Sequence, residues 1–350
     1  MKKILAMLLA LVMILSLAAC ASTAPATDTT AASDTETPAV ETPVSETPVS
    51  TEEPSAADGK TYTVGVCQLV QHEALDAATQ GFVDALTEEL GDAVTIDVQN
   101  ASGDSVNCGT IVNGFVSRGV DLIMANATPA LTAAVSATAD IPILGTSITA
   151  YGVALDIDDF SGTVGGNVSG TSDLADLQKQ AQMILDWFPE TKTVGLLFCS
   201  AEPNSRYQID EVRKALEAQG VTCEEFAFTD SNDVSSVTQK AADFSDVVYI
   251  PTDNTAASNT EAIANVLIPA GVPAICGEEG LCRGCGVATL SISYYDLGVT
   301  TGKMAAKILK GEANISEMPV EYTDATPKYN ASICDQLGIT PLDGYEAIDG

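Results

Sequence analysis

The chain has 350 residues and a mass of 36.1 kDa, which is more than one average domain and excludes a single small module. Its 48 Asp and Glu residues outnumber its 15 Lys and Arg residues, and the net charge of −33 argues against a nucleic-acid partner, because phosphate would be repelled. Hydrophobic residues make up 46% and aromatic residues only 5%, a composition typical of aliphatic parallel sheets covered by helices.

The N-terminus predicts export. Two lysines precede an apolar run at residues 4–17, which is too short to span a bilayer comfortably and is typical of a secretory signal. The run ends in Leu-Ala-Ala-Cys, which resembles a bacterial lipobox. We therefore expect residues 1–19 to be a lipoprotein signal peptide and Cys20 to carry the lipid that anchors the chain to the cell membrane. An ordinary signal with a nearby cysteine, or an uncleaved membrane anchor, is the alternative.

Residues 20–60 are predicted to be a tether. The segment is rich in Thr, Ser, Pro and Ala, and it repeats Glu-Thr-Pro in five-residue steps from Glu36. It has too few aliphatic residues to bury a core, so we expect a disordered linker. The body, from residue 61 onward, carries 40 acidic and 12 basic residues and is therefore itself strongly acidic.

The body shows the same α/β plan twice. Its β-branched runs alternate with amphipathic stretches, which is the pattern of a parallel sheet wound with helices. In the first half we predict strands at 63–67, 94–98, 120–125 and 141–145, and helices at 74–90, 106–118 and 129–138. In the second half we predict strands at 193–199, 221–228, 247–251 and 272–276, and helices at 205–219, 234–244 and 259–269. A helix at 295–310 and a short final strand at 319–322 follow.

The predicted fold class is therefore α/β, with two doubly wound parallel-sheet lobes joined by a hinge. We assign residues 61–172 and about 294–318 to the first lobe, and residues 173–293 and about 319–350 to the second. Open parallel sheets bind ligands at the carboxyl ends of their strands, so we expect a ligand cleft between the lobes.

Short fragments, in order along the chain, resemble one family. They are similar to ABC-transporter substrate-binding proteins of the type I periplasmic-binding fold, in the branch that includes binders of tryptophan and other aromatic amino acids. The fragments lie at residues 66–68, 72–76, 97–104, 121–123, 127–130, 169–173, 202–205, 249–254 and 294–298. The resemblance extends from about residue 64 to residue 339.

This resemblance implies capture of a small, amino-acid-like solute outside the cytoplasm and its delivery to an ABC permease with a separate ATPase subunit. We expect a monomer that uses no cofactor. Two segments depart from the family pattern. Residues 147–152 are shortened and altered, which leaves the solute open, and Cys276, Cys282 and Cys285 stand where the family more often has aliphatic residues.

A zwitterionic solute needs a site for its carboxylate. Thr128 stands where a strand is followed by a helix, so we predict that it caps this helix and that the free N–H groups nearby, with the backbone of Ala130, face an anion. Further hydroxyl and amide groups are available at the lobe junction and in the second lobe, at Thr171, Ser172, Asn204 and Ser205. Each of these residues could instead be only a cap or a turn residue.

The solute's ammonium needs an anionic partner, and Asp253 is the strongest candidate because it follows a predicted strand at the cleft edge. Its alternative role is to cap the helix that follows. Gln68 and His72 follow the first strand and are expected on the cleft rim, although His72 could cap its helix. Tyr294 or Tyr295 is expected to face the solute's side chain.

Other kinds of function have little support in the sequence. His72 is the only histidine and the chain has neither a Gly-x-Ser-x-Gly nor a Walker A motif, so we expect no enzyme activity. Cys282 and Cys285 have the spacing of a zinc or redox pair but lack a second pair, so we expect no metal, and both free thiols and a disulfide within 276–285 stay open. The alternative functions are a tethered sensor for a small solute and a sugar or nucleoside receptor of the same fold.

Overall fold

Two parallel-dominated sheets organise residues 60–348, which are the part of the chain that our computed structural model describes. The predicted signal peptide, Cys20 and the predicted tether up to residue 59 lie outside these residues. None of the described helices combines the length and the apolar character that crossing a membrane requires. The predicted α/β class with two lobes is confirmed.

The first sheet has six strands in the order β11-β5-β4-β3-β1-β2, and all its neighbours are parallel. Its elements are, in chain order, β1 (Tyr62–Gln68), α1 (Glu73–Leu90), β2 (Val94–Asn100), α2 (Ser105–Arg118), β3 (Leu122–Asn126), α3 (Thr128–Ala137), β4 (Ile143–Ile148), α4 (Tyr151–Ala154) and β5 (Val168–Ser172). Its sixth strand, β11, arrives from the C-terminal part of the chain.

The second sheet has seven strands in the order β13-β12-β10-β9-β8-β6-β7, in which only β10 and β12 pair antiparallel. The elements from α5 to β10 are α5 (Leu177–Trp187), β6 (Thr193–Cys199), α6 (Pro203–Glu217), β7 (Thr222–Phe228), α7 (Val234–Phe244), β8 (Val247–Ile250), α8 (Asn254–Ala257), α9 (Thr260–Ala270), β9 (Ala274–Cys276), α10 (Glu279–Cys285) and β10 (Ala288–Ser291). The remaining elements are α11 (Tyr294–Leu309), β11 (Glu321–Tyr322), β12 (Thr326–Tyr329), α12 (Ala331–Leu337) and β13 (Glu346–Ala347).

Both faces of the first sheet are buried, as a doubly wound sheet requires. Along β3, Leu122 and Met124 pack on one face against Phe82 of α1, whereas Ile123 packs on the other face against Phe115 of α2. Because strand residues alternate between the two faces, a strand covered on both sides reads as an unbroken apolar run. This is why the sequence predicts these central strands well.

Helices α1 and α11 pack with their backbones in close contact. A Cβ atom added at Gly81 would collide with the carbonyl oxygen of Tyr295, and one added at Gly298 would collide with that of Ala78. Only glycine allows this close approach. The contact fixes α11 on the first lobe and holds its first residue, Tyr294, at the floor of the cleft.

The chain passes between the two sheets three times, within residues 172–177, 291–294 and 322–326. The last passage follows β11, which pairs with β5 of the first sheet. The strand predicted at 319–322 therefore exists, but it belongs to the first sheet and is not the final strand. Each passage is a short connection at one end of the lobes, which is the geometry of a hinge.

Candidate functional site

A small cavity lies between the lobes at the carboxyl ends of the strands. Its volume is about 10 Å³, close to the space that one water molecule occupies. The first lobe contributes His72, Leu75, Ser147, Thr149 and Tyr294, the first passage contributes Asp173, and the second lobe contributes Asn204, Thr252, Asp253, Asn254, Ala257 and Glu278. Among the described residues that line this cavity there are three carboxylates and neither Lys nor Arg.

Direct contacts between the lobes close this cavity. His72 Nε2 lies 3.3 Å from Asn254 Oδ1, and Arg283 Nε of the second lobe lies 3.0 Å from a carboxylate oxygen of Glu73 in the first. Burial lowers the pKa of His72, so its ring is neutral near pH 7. Because the Asn254 amide donates to Glu202, its Oδ1 is the acceptor and the proton of the His72 ring sits on Nε2.

Asp173 is the least satisfied carboxylate of the cavity. It is only 4% exposed, and its Oδ2 accepts a hydrogen bond of 2.8 Å from the Tyr294 hydroxyl. Its Oδ1 is buried and has no hydrogen-bond partner, although the Thr149 hydroxyl lies near the carboxylate. Burial raises the pKa of Asp173 in spite of the bond from Tyr294.

Two further buried oxygens at the cavity have no hydrogen-bond partner. The Asn204 amide nitrogen donates to the Thr252 carbonyl at 3.1 Å and approaches Glu202 Oε2 at 3.2 Å, which fixes its orientation and leaves Oδ1 unpaired. Ser147 Oγ is the other. Ser147 has a φ of 55°, a left-handed conformation that costs free energy in a non-glycine residue and is concentrated at functional sites.

Asp253, in contrast, is fully engaged by the backbone of its own lobe. Its Oδ2 accepts from the Cys199 N–H at 2.6 Å and its Oδ1 accepts from the Ala256 N–H at 2.8 Å, so it caps α8. This is the alternative role that the sequence left open. Burial, together with the nearby Glu202 carboxylate, raises the pKa of Asp253 to about 8.

Glu278 is engaged in the same way. Its carboxylate accepts from the N–H groups of Gly280 at 2.6 Å and Leu281 at 2.5 Å, and it caps α10. Burial raises the pKa of Glu278 to about 7, because two backbone donors only partly replace the water that a charged carboxylate loses. The second lobe thus presents carboxylates whose lone pairs are already in use.

The structure brings four of the residues proposed from the sequence together around the cavity, namely His72, Asn204, Asp253 and Tyr294. His72 also stands at the N-cap position of α1, but its side chain makes no capping bond. Of the tyrosine pair, Tyr294 lines the cavity at 7% exposure, whereas Tyr295 is 44% exposed and donates to Asp84 on the outer surface.

Three other proposed residues are buried inside the first lobe and do not line this cavity. Gln68 donates to the Val70 carbonyl and to Asp76. The Thr171 hydroxyl lies between two other threonine hydroxyls, and the Ser172 hydroxyl donates to a carbonyl of the loop after β4. Their polar atoms hold the strand ends and the first passage in place, so they support the cleft from behind.

The expected anion site at the start of α3 needs a correction. Ala127, with a φ of 89° and no side-chain bond, is the N-cap of α3, and Thr128 is already the first helical residue. Thr128 and Ala130 are buried and do not line the small cavity between the lobes. Ser205 is likewise fully buried, behind Asn204.

Asp173, Glu278 and Ser147 line the cavity but are not among the site residues proposed from the sequence. Each had a signal: Asp173 ends one of the family-like fragments, and Ser147 and Glu278 both follow shortly after a predicted strand. These three residues are far apart in the sequence, and the passages between the lobes bring them to one cavity. Local sequence patterns therefore do not predict that they lie together.

A wider groove of about 450 Å³ adjoins the small cavity through Asn254. Leu69, Val70 and Pro129 border it on the first lobe, and Cys199 and Glu202 are among its residues on the second. This volume is within the range of small-molecule sites. The groove thus provides space that the closed cavity lacks.

The eight cysteines in the described range carry free thiols, including the buried Cys276, Cys282 and Cys285 around β9 and α10. Of the two alternatives that the sequence left open for this segment, the structure shows the unpaired one. Within residues 60–348, no cluster of His, Cys, Asp and Glu could hold a metal ion.

Comparison with known proteins identifies relatives that match over most of the described range. The family model for ABC transporter substrate binding proteins matches residues 63–344. The tyrosine-binding protein of Clostridioides difficile (strain R20291) is 33% identical over 273 residues, which cover 76% of this chain and 78% of that protein.

Two solved structures are similar to this chain and have nearly the same sequence identity to it. An ABC domain from Streptococcus pneumonia in complex with L-Trp is 33% identical, with a TM-score of 0.78 over 83% of this chain and 100% of that one. The ligand-free, open structure of a substrate-binding protein with adhesive properties from Clostridium difficile is 34% identical, with a TM-score of 0.63 over 83% and 99%. The better superposition on the liganded relative agrees with the interlobe contacts, which make this chain's arrangement a closed one.

Proposed function

The chain belongs to the family of ABC transporter substrate-binding proteins, and from this membership we propose that it captures an amino acid with an aromatic side chain between its lobes. The resemblance read from the sequence is thereby confirmed. The bound solute would be delivered to a permease that works with a separate ATPase subunit, and no covalent chemistry is involved. The relatives that bind tyrosine and hold L-Trp support the choice of side chain.

One observation carries the amino-acid assignment: Asp173 Oδ1, Asn204 Oδ1 and Ser147 Oγ are buried, unpaired and border one cavity. A primary ammonium has three N–H donors and no acceptor, so three oxygens of which one is a carboxylate match it in number and charge. A buried polar atom without a partner costs free energy, and a ligand that supplies the missing donors removes this cost.

The residues around the cavity also offer partners for the other groups of an amino acid. The first turn of α1 borders the cavity through His72 and Leu75, and its N–H groups are uncharged donors for the ligand's carboxylate. The aromatic side chain would extend into the wider groove, where Leu69, Val70 and Pro129 form an apolar border. The closed cavity alone is too small for it.

The mechanism we propose is a two-state clamp. The ligand enters between open lobes, binds to one of them, and makes its remaining contacts only when the hinge closes. Closure also forms the contacts His72–Asn254 and Glu73–Arg283. A cavity of about 10 Å³ gives the ligand no entry in the closed arrangement, so opening is obligatory for exchange.

Thermal unfolding of a chain that lacks residues 1–55 tests this function directly. Ligand at about a hundred times its Kd stabilises the native state by roughly 2.7 kcal/mol, so L-tyrosine or L-tryptophan should raise the Tm by about 5 °C or more. L-Leucine should raise it less, and glucose and adenosine should leave it unchanged. A rise with the sugar or the nucleoside alone would favour the corresponding receptor and contradict our proposal.

The anchor and the delivery step need separate experiments. We propose that lipid at Cys20 holds the protein on the outer face of the cell membrane, so Cys20→Ala should move it from the membrane fraction to the medium. Loss of amino-acid uptake on deletion of the gene would support delivery to a permease. Unchanged uptake with loss of a transcriptional response to the amino acid would favour the sensor instead.

A further inference from the structure

Asp173 lies in the hinge itself. It belongs to the first passage between the lobes, residues 172–177, and Tyr294 begins the helix that follows the second passage. The bond of 2.8 Å from the Tyr294 hydroxyl to Asp173 Oδ2 therefore links two of the three passages at the floor of the cleft. A group that binds at Asp173 touches the part of the molecule about which the lobes move.

The closed arrangement gives the charge of Asp173 hydrogen bonds but no cationic partner among the described residues. The titratable groups that face it are the carboxylate of Glu278, from the N-cap of α10, and the hydroxyls of Tyr151 on α4 and Tyr294 on α11. The ring of His72, which burial keeps neutral near pH 7, and the carboxylate of Asp253 line the same cavity. None of these is a cation. A buried carboxylate without a cationic partner is costly, whereas in an open cleft water can reach it.

Asp253 provides the contrast within the same cavity. Both its oxygens accept bonds from N–H groups of its own lobe, at 2.6 and 2.8 Å. These bonds do not depend on the position of the other lobe. Asp253 therefore keeps both hydrogen bonds whether the lobes are open or closed, although it borders the cavity as closely as Asp173 does.

Resting on the proposed function, we propose that Asp173 makes hinge closure depend on the charge of the ligand, because the ligand's ammonium pairs with Asp173 Oδ1 and removes the cost of burying this carboxylate. The residue would then be the main determinant of selectivity for amines. The ligand-free protein would stay open for the same reason.

A proton can replace the ammonium in this scheme. Burial raises the pKa of Asp173 in the closed form, so closure and protonation favour each other. Lowering the pH should therefore close the ligand-free protein. Binding of an amine at a pH where Asp173 is partly protonated should release a proton, which calorimetry in buffers of different ionisation enthalpy detects.

The test compares Asp173→Asn with Asp253→Asn, which makes the same substitution at a second carboxylate of the same cavity. Calorimetry at pH 8 uses L-tyrosine and desaminotyrosine, its analogue without the ammonium. Asp173→Asn should weaken the binding of L-tyrosine at least thirtyfold, as expected for a broken buried ion pair. It should not weaken the binding of desaminotyrosine, and Asp253→Asn should cost less than fivefold.

Small-angle scattering of the ligand-free proteins gives a readout that needs no ligand. At pH 8 the Asp173→Asn variant should have a smaller radius of gyration than the parent and than Asp253→Asn. Between pH 8 and pH 5 the parent should contract more than Asp173→Asn, because Glu278 and Asp253 titrate in both proteins and only the difference belongs to Asp173. A variant as extended as the parent, or a parent as compact as the variant at pH 8, would overturn the proposal.

Binding of L-tyrosine to a folded Asp173→Asn variant within threefold of the parent would overturn it as well. Failure of the proposed function looks different, because the parent itself would then bind neither L-tyrosine nor L-tryptophan. In that case the scattering experiment alone still decides whether the Asp173 charge opposes closure.

Discussion

Asp253 and Glu278, on the second lobe, border the same cavity as Asp173 in the hinge, but the protein satisfies them in different ways. The two residues of the second lobe each accept two backbone N–H bonds and cap short helices. Asp173 accepts one bond from Tyr294 and keeps one oxygen unpaired. The comparison teaches that a buried carboxylate near a strand end can either stabilise the cleft wall by accepting backbone hydrogen bonds or keep an oxygen available for a ligand. Unpaired atoms, rather than residue type, distinguish the two.

Of the substitutions that test this difference, Glu278→Ala should have the largest effect, which is a loss of stability. The substitution leaves the buried N–H groups of Gly280 and Leu281 without an acceptor, and at 1–3 kcal/mol for each such group we expect a loss of about 3 kcal/mol. Thermal unfolding without ligand should show a Tm lower by about 5 to 10 °C. Glu278→Gln is the matched control, and because its amide keeps one of the two acceptor oxygens it should lose about half as much. An unchanged Tm in the alanine variant would mean that Glu278 does not build the wall.

The second prediction concerns the pH dependence of stability. Burial raises the pKa of Glu278 to about 7 and that of Asp253 to about 8, both above the values of unfolded carboxylates. Between the pKa values of the unfolded carboxylates, near 4, and those of the folded ones, the folded state holds more protons than the unfolded state. The stability that these protonated carboxylates contribute is therefore fully present below about pH 4 and is lost as the pH rises to about 8.

Unfolding of the parent at pH 5, 6.5 and 8 should thus give a falling Tm. Self-repulsion of the acidic body acts in the same direction, so the informative quantity is the difference from Glu278→Gln, whose Tm should fall less steeply. A variant with the parent's slope would show that Glu278 is hydrated and contradict its role as a buried cap.

The third prediction tests the hydrogen bond between Tyr294 and Asp173 in the hinge. Tyr294→Phe removes the hydrogen bond of 2.8 Å that Asp173 Oδ2 accepts and leaves the Thr149 hydroxyl as the side-chain donor near the carboxylate. Loss of one bond to a charged group costs about 1.5–3 kcal/mol, so binding of L-tyrosine should weaken about tenfold or more by calorimetry. Tyr295→Phe is the control on the neighbouring position, where the hydroxyl faces outward and affinity should not change. Equal effects of the two substitutions would argue against a link through the hinge.

Much of the fold was predictable because it depends on local patterns. The run 120–125 predicts a strand and the structure has β3 (Leu122–Asn126), while the apolar period of 74–90 predicts α1 (Glu73–Leu90) almost to its ends. The short helices α8 and α10 were not predicted, since four and seven residues are too few for a period to appear.

The site was less predictable than the fold. Asp253 and Tyr294 were found because each stands beside a predicted strand or helix end, and both line the cavity. Thr128 was misplaced by one position, because Ala127 takes a left-handed φ of 89° that no alanine propensity would suggest. Asp173 and Glu278 are brought to one cavity by the passages between the lobes, and no local pattern in the sequence predicts that they are close.

The smallest effect should come from the ion pair across the mouth of the cleft. Arg283 and Glu73 belong to different lobes and lie 3.0 Å apart, with about a third and a half of their side chains exposed. Exposed pairs contribute about 0.2–1 kcal/mol, so Glu73→Gln should speed the release of L-tyrosine two- to threefold in stopped-flow experiments without altering the Tm of the ligand-free protein. Added salt should speed release from the parent and bring its release rate close to that of the variant, because screening weakens exposed pairs.

Arg283 also pairs with Glu279 in its own lobe, so Glu279→Gln is the control. Release that responds to Glu279→Gln but not to Glu73→Gln would show that the charge pair across the mouth does not hold the lobes together.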